Sequence, residues 1–276
     1  MKHSLIWLNI SLFCCITQWS RLFKDGIMPY LSNDQGTNNF IIAFNVEFNY
    51  LSGSNIRLAL LTRNTQAYRL AKDTDSYFKN YFGLTESSNK RNTLGPNRLF
   101  MPFPVNSIKY GLYNHLPTTQ LDDFFKREFS KIILDAMFNE KIDNELILTL
   151  AFYLNVGFIK ALNLAQQFNG RLPLRAYPEV SCIKAKFLES EIALNEITRE
   201  IMNGTHVTFP KWLMNWVDLC EDFISKQLEQ VNNFFEVQYK VERFINQSLS
   251  LTPEEVDLLR YIVEQSLRKY HDEKEI

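Results

Sequence analysis

The stretch that decides the fold is residues 39–63, NFIIAFNVEFNYLSGSNIRLALLTR. Residues 39–50 are rich in Phe, Ile and Val and partly alternate, which predicts a strand. Leu51-Ser52-Gly53-Ser54 is a tight connection, and residues 55–62 read as the next strand. So short a connection joins antiparallel neighbours.

Working outward, residues 5–16 are an apolar run that predicts a first strand. Residues 17–33 carry Trp19, Leu22, Phe23, Ile27 and Leu31 at helical spacing, with Gly26 as a soft spot. Asn33, Asp34 and Gly36 mark a turn. Beyond the central pair, residues 64–82 predict a second amphipathic helix through Tyr68, Leu70, Ala71, Tyr77, Phe78 and Phe82. Residues 84–98 are a polar surface loop. Residues 99–114 hold two short extended pieces broken by Pro102 and Pro104. Strand, helix, strand, strand, helix, strand is the order of a ferredoxin-like βαββαβ unit.

From residue 117 the pattern is helical. Helices are expected over 117–139, 143–168, 179–203, 209–248 with a split near 230, and 253–273. Thr252-Pro253-Glu254-Glu255 is a start signal of cap, first-turn proline and acids. The fold class is therefore α+β. Residues 1–115 form the sheet unit, and residues 116–276 form a helical region expected to pack on it as one structural domain.

With 276 residues, 46% of them hydrophobic, and 22 Phe, 12 Tyr and 4 Trp, the chain can build a core without disulfides. A formal net charge of −1 gives no overall electrostatic reason to bind nucleic acid or an anionic membrane. Cys14, Cys15, Cys182 and Cys220 show no zinc or redox spacing. They read as reduced cysteines of a cytoplasmic protein. The N-terminal run also resembles the apolar part of a secretion signal. Asn9 interrupts it, however, and Gln18-Trp19-Ser20-Arg21 is a poor cleavage exit. It is too short for a bilayer span, which needs about 20 residues. A buried strand is the preferred reading.

Three segments carry a resemblance. Trp7, Leu8 and Ile10 open the chain as Trp-Leu-x-Ile. Asn55-Ile56-Arg57-Leu58-Ala59 follows the tight turn. Pro104-Val105-Asn106-Ser107-Ile108-Lys109-Tyr110-Gly111 precedes the helices. In these features the chain resembles the thiopeptide-type bacteriocin biosynthesis domain. That domain is the C-terminal elimination domain of class I lantibiotic dehydratases and also occurs free-standing, as in the thiopeptide pyridine synthases. The family pattern has His-Leu-Arg-Leu-Arg at the second segment and Pro-Glu-Ile-x-Arg-Tyr-Gly at the third. The match covers about the first 140 residues, and the helical remainder follows by pattern.

The departures decide what the resemblance implies. In the elimination enzymes, arginines and a glutamate remove an α-proton from a glutamylated Ser or Thr and expel glutamate. Here the second arginine is Ala59, the glutamate is Asn106 and the arginine before Tyr-Gly is Lys109. Lysine supplies a point charge but no bidentate clamp, and asparagine is no base. His271 lacks the Asn-Arg context of the family's late histidine. A pyridine synthase of this fold lacks the elimination residues too. It joins two dehydroalanines in a formal [4+2] reaction and releases the leader peptide.

The resemblance therefore implies a thiopeptide, or RiPP, bacteriocin biosynthesis enzyme of cyclase type. Its expected partners are a ribosomally made precursor peptide with a leader and other enzymes of the same pathway, and it needs no metal and no cofactor. The alternatives are the glutamate-elimination component of a split dehydratase and a non-catalytic leader-binding protein. Arg57, Asn106, Lys109 and Tyr110 are the expected catalytic donors. Lys90, Arg91 and Arg98 make the 84–98 loop basic and are the expected peptide-binding residues. Each has a plainer reading. Arg57 is equally a solvated strand arginine, Tyr110 a core tyrosine with its hydroxyl at the rim, and the basic loop a solvated loop. Lys109 and Tyr110 point to opposite sides of a strand, so at most one faces a given cleft.

Overall fold

Alternation along four short strands builds a sheet with one apolar and one polar face. The computed structural model describes residues 4–32, 40–49, 54–86, 103–113, 119–138, 140–164, 181–204, 209–231 and 234–273. The strands are β1 (Leu5–Phe13), β2 (Ala43–Asn49), β3 (Asn55–Arg63) and β4 (Ser107–Tyr110). Their order is β2-β3-β1-β4, antiparallel throughout. That is the ferredoxin-like topology, with the N-terminal apolar run as a central strand. β2 and β4 fall within the expected spans, β3 runs one residue past its expected end to Arg63, and β1 stops at Phe13 instead of reaching residue 16.

The first crossover departs from the plain helix that its spacing predicts. It runs as α1 (Trp19–Arg21), one wide turn over Leu22–Ile27, and α2 (Met28–Ser32). In the wide turn the Met28 N–H reaches the Phe23 carbonyl, five residues back. Gly26 lies inside it. A Cβ there would come within 3.0 Å of Leu22 Cδ1, so only glycine fits without a shift. The Gly26 carbonyl accepts a hydrogen bond from Tyr77 Oη at 3.0 Å. The second crossover is α3 (Ala67–Glu86). Tyr30 Oη lies 2.7 Å from Thr74 Oγ1, which itself donates to the Leu70 carbonyl. The threonine has one proton, so Tyr30 is the donor.

The apolar face packs under these crossovers. Trp19 and Phe23 lie against Phe48 of β2, with centroids 5.3 and 5.9 Å apart. Helix α4 (Gln120–Met137) runs beside β2, and its N-cap Thr119 accepts from the Asp122 N–H. Ser130 Oγ on α4 accepts from the Val46 N–H at 3.0 Å. Val46 is on an edge strand, so α4 satisfies a donor that would otherwise invite another strand.

The chain divides into two compact units, Met1–Asp143 with Ser248–Ser250, and Asn144–Gln247 with Leu251–Ile276. The second unit contains α5 (Asn144–Leu164), α6 (Ser181–Asn203), α7 (Lys211–Val231), most of α8 (Phe234–Leu249) and α9 (Pro253–Asp272). Helix α5 is the one described helix long and apolar enough to cross a membrane. Burial of Leu150, Leu154, Phe158 and Leu162 makes it the core helix of this unit. Trp216 of α7 donates its indole N–H to the Leu154 carbonyl at 2.7 Å, and Gly157 leaves room for that ring. At α9, the Thr252 and Glu255 side chains each accept from the other's backbone N–H, the capping box that the sequence announces.

Candidate functional site

Directly paired residues of an antiparallel sheet point to the same side. The register therefore fixes which side chains share a face. Lys109 pairs with Ser11, Ser11 with Arg57, and Arg57 with Glu47. These four form one row across all four strands. The row on one side is Ser107, Phe13, Asn55 and Asn49. The row on the other side is Asn9, Ala59 and Asn45. All of these project from the face opposite Ile10, Leu12, Leu58, Val46 and Phe48. One face of the sheet is thus almost all aliphatic and aromatic. In these rows the other carries four asparagines, two serines, two cations and an acid beside Phe13 and Ala59, with Ser11, Asn45, Asn49 and Asn55 buried.

Arg57 is the centre of this face. Its guanidinium lies over the ring of Tyr113, 4.9 Å from the centroid. Such an arrangement holds a cation in place without an opposing charge. Glu47 stands across the strand pair from Arg57. Burial pushes its carboxyl above the ordinary carboxylate range, and the Arg57 and Lys126 charges pull it back in part. Burial also pushes the Tyr113 phenol well up. The Glu47 charge adds to that rise, while Arg57 and a hydrogen bond from the Ile10 backbone oppose it. At the other end of the row, Lys109 Nζ lies 5.6 Å from the centre of the Phe103 ring, which packs on Phe13 at 4.8 Å. Strands lie about 4.8 Å apart, so the row from Glu47 to Lys109 spans about 14 Å of backbone.

Of the expected catalytic residues, Arg57 and Lys109 share this face. Tyr110 does not. It projects from the apolar face, and its hydroxyl donates to the Ala71 carbonyl of α3 at 3.0 Å. Its phenol is raised chiefly by burial. Tyr110 is a packing residue that ties β4 to the second crossover, as strand parity requires once Lys109 is on the polar side.

Asn106 has a backbone role. Its φ is 59°, a left-handed conformation that asparagine tolerates better than most residues. Its N–H donates to the Phe13 carbonyl at 2.7 Å. Gly111, with φ 70°, does the same at the far end by donating to the Asn9 carbonyl at 3.0 Å. The two residues pin a four-residue strand at both ends. Lys90, Arg91 and Arg98 lie outside the described residues.

The sequence reading passed over Glu47, Ser11 and Tyr113. Glu47 was legible as a lone acid within an aromatic and aliphatic strand. Its partner was not, because pairing register depends on the three-dimensional sheet. Tyr113 follows β4 in a segment without periodicity, where no spacing rule applies.

No protein-family model matches the chain, and no curated protein does. Solved structures do match it in fold. The pyridine synthase TbtD from thiomuracin biosynthesis superimposes with a TM-score of 0.63 at 13% identity, covering 95% of this chain and 98% of that one. TsrL matches with a TM-score of 0.59 at 11% identity, over 98% and 96% of the two chains. The tRNA-dependent lantibiotic dehydratase MibB from Microbispora sp. 107891 matches with a TM-score of 0.58 at 11% identity, over 97% of this chain but 28% of that one. The fold expected from the three resemblance segments is the fold that these proteins share.

Proposed function

We propose that this protein is a peptide-modifying enzyme of thiopeptide-type RiPP biosynthesis. Its substrate is a precursor peptide that already carries dehydroalanines. It joins two of them in a formal [4+2] macrocyclisation and releases the leader peptide. The observation that carries this reading is the near end-to-end fold match to a pyridine synthase, combined with the loss of elimination residues at Ala59, Asn106 and Lys109. Arg57 is retained.

The chemistry suits a face of this kind. Bringing two distant dehydroalanines of one peptide together supplies up to about 7–11 kcal/mol of barrier lowering when they are well oriented. Hydrogen-bond donors then favour the iminol tautomer of the reacting amide, and an acid–base group handles the protons of the departing water and leader. Arg57, Lys109 and Tyr113 are the proposed donors among the side chains of the polar face. The test is incubation of the protein with a bis-dehydroalanine precursor, followed by mass spectrometry. Appearance of free leader and a macrocycle is expected. Unchanged linear peptide, under conditions where the precursor binds, would overturn the assignment.

One observation favours a second reading, glutamate elimination. Glu47 returns a carboxylate to a row that already holds Arg57 and Lys109. Two cations and a carboxylate are what expulsion of glutamate calls for. Incubation with a glutamylated precursor separates the readings, because loss of the glutamate mass occurs only under the second.

A further inference from the structure

We infer that Glu47 is the acid–base residue of the polar sheet face, with Arg57, its cross-strand neighbour braced by Tyr113, setting the charge around it. The inference rests on the reading of this face as a peptide-modifying site and adds the group that moves the protons. None of the three resemblance segments contains Glu47, because it sits on β2.

Four observations converge. First, Glu47 is directly paired with Arg57 in the β2–β3 register, so both side chains leave the sheet on the same side. Second, Arg57 is itself braced by the Tyr113 ring, which limits the motion of the cation whose charge acts on Glu47. Third, the charged and titratable groups facing Glu47 are Arg57 from β3, Lys126 from α4 and Tyr113 after β4, and the two cations only partly offset its burial. Fourth, Asn106 cannot serve as the base, since it is an amide engaged in shaping the backbone before β4. A carboxyl held above its ordinary range changes protonation state nearer neutrality than a solvated one, which suits it to both donate and accept.

The proton balance closes without a cofactor. The new ring first loses water, breaking a C–O bond and an N–H bond. It then loses the leader as an amide, breaking a C–N bond and the adjacent C–H bond. In each step the departing group gains one proton and the ring gives one up. A Glu47 carboxyl that donates to the departing oxygen or nitrogen, and recovers a proton from the ring, ends each step as it began. No electrons are gained or lost overall.

The test compares wild type, Glu47→Gln and Glu47→Asp in turnover of the bis-dehydroalanine and glutamylated precursors across pH, with precursor affinity measured separately. Glu47→Gln is expected to lower kcat about 100-fold or more and leave affinity within about threefold. It should also abolish one limb of the pH–rate profile, and Glu47→Asp should restore part of the rate and that limb. Equal turnover and an unchanged profile in Glu47→Gln would overturn the inference while leaving the proposed function standing. An inactive wild type on both precursors would instead count against the proposed function. Glu47 is then tested by carboxyl-carbon NMR with labelled glutamate, its signal assigned by its absence in Glu47→Gln. A titration above the usual range that shifts on adding precursor supports the role. A titration in the usual range, indifferent to precursor, overturns it.

Discussion

The two faces of one sheet are written into the same four strands by alternate residues, and they answer to different demands. On one side Phe48, Val46, Leu58, Ile10 and Leu12 are buried beneath the crossover helices. On the other, Glu47, Arg57, Ser11 and Lys109 form a row one residue out of phase. The apolar face gains free energy from each side chain that it removes from water, about 1.5–3 kcal/mol for a large aliphatic or aromatic one. The polar face buries asparagines and half-buries a carboxyl group, and such burial costs free energy unless the groups are hydrogen-bonded. One face holds the fold together, and the other is where a fold can carry chemistry at some cost in stability.

The largest effect that would break this contrast is on the apolar side. Phe48 packs on both Trp19 and Phe23, so Phe48→Ala removes the centre of that cluster. A loss of about 3–5 kcal/mol is expected, read from urea unfolding of each variant. A loss under about 1 kcal/mol would mean that the crossover helices do not depend on this face.

Arg57 gives the converse. Arg57→Lys keeps the charge but loses the flat cation that lies over Tyr113. A kcat loss of about 10- to 100-fold is expected, with unfolding free energy changed by less than about 1 kcal/mol. Equal losses of stability and turnover would make Arg57 a structural residue.

How much of this was legible in the sequence follows the same division. The apolar face announces itself by period, so β2 and β3 were readable from NFIIAFNVEFNY and NIRLALLT alone. The capped start of α9 was readable from Thr252-Pro253-Glu254-Glu255 for the same reason, that the signal is local. Parity also separated Lys109 from Tyr110 before any fold was seen. What did not show is whatever depends on register or on backbone angle. The pairing of Glu47 with Arg57 needs β2 placed against β3 residue by residue. The left-handed turn at Asn106 needs a dihedral, and the resemblance read that position as a side-chain donor. The wide turn at Gly26 needs the packing of Tyr77 to explain it.

Glu47 sharpens the comparison through pH. Its folded-state carboxyl is raised by burial, so the folded protein favours the protonated form more than the unfolded chain does. That preference stabilises fully below the unfolded-state pKa and is lost as pH rises through the folded-state one. Ionising the group in the folded protein therefore costs stability. Glu47→Gln is expected to raise Tm at neutral pH, and the gain should vanish in acid below the ordinary glutamate range. A variant that melts lower at neutral pH would mark Glu47 as a structural ion-pair partner of Arg57 and Lys126.

Tyr110 provides the smallest and most diagnostic effect. Its hydroxyl bonds to the Ala71 carbonyl in the interior of α3. An interior helical carbonyl already accepts from the N–H four residues on, so removing the phenol orphans no acceptor. The loss for Tyr110→Phe is therefore at the low end of a hydrogen bond, about 0.5–1 kcal/mol, and turnover should not change. Tyr113→Phe removes a hydroxyl from the opposite face, where the Ile10 backbone and the Glu47 charge both act on it. Turnover should fall while stability changes little. Denaturant melts and rate measurements on this pair of conservative substitutions, three positions apart, decide whether the two faces divide their labour. A Tyr110 variant that loses turnover would place the chemistry on the wrong side of the sheet for every residue proposed above.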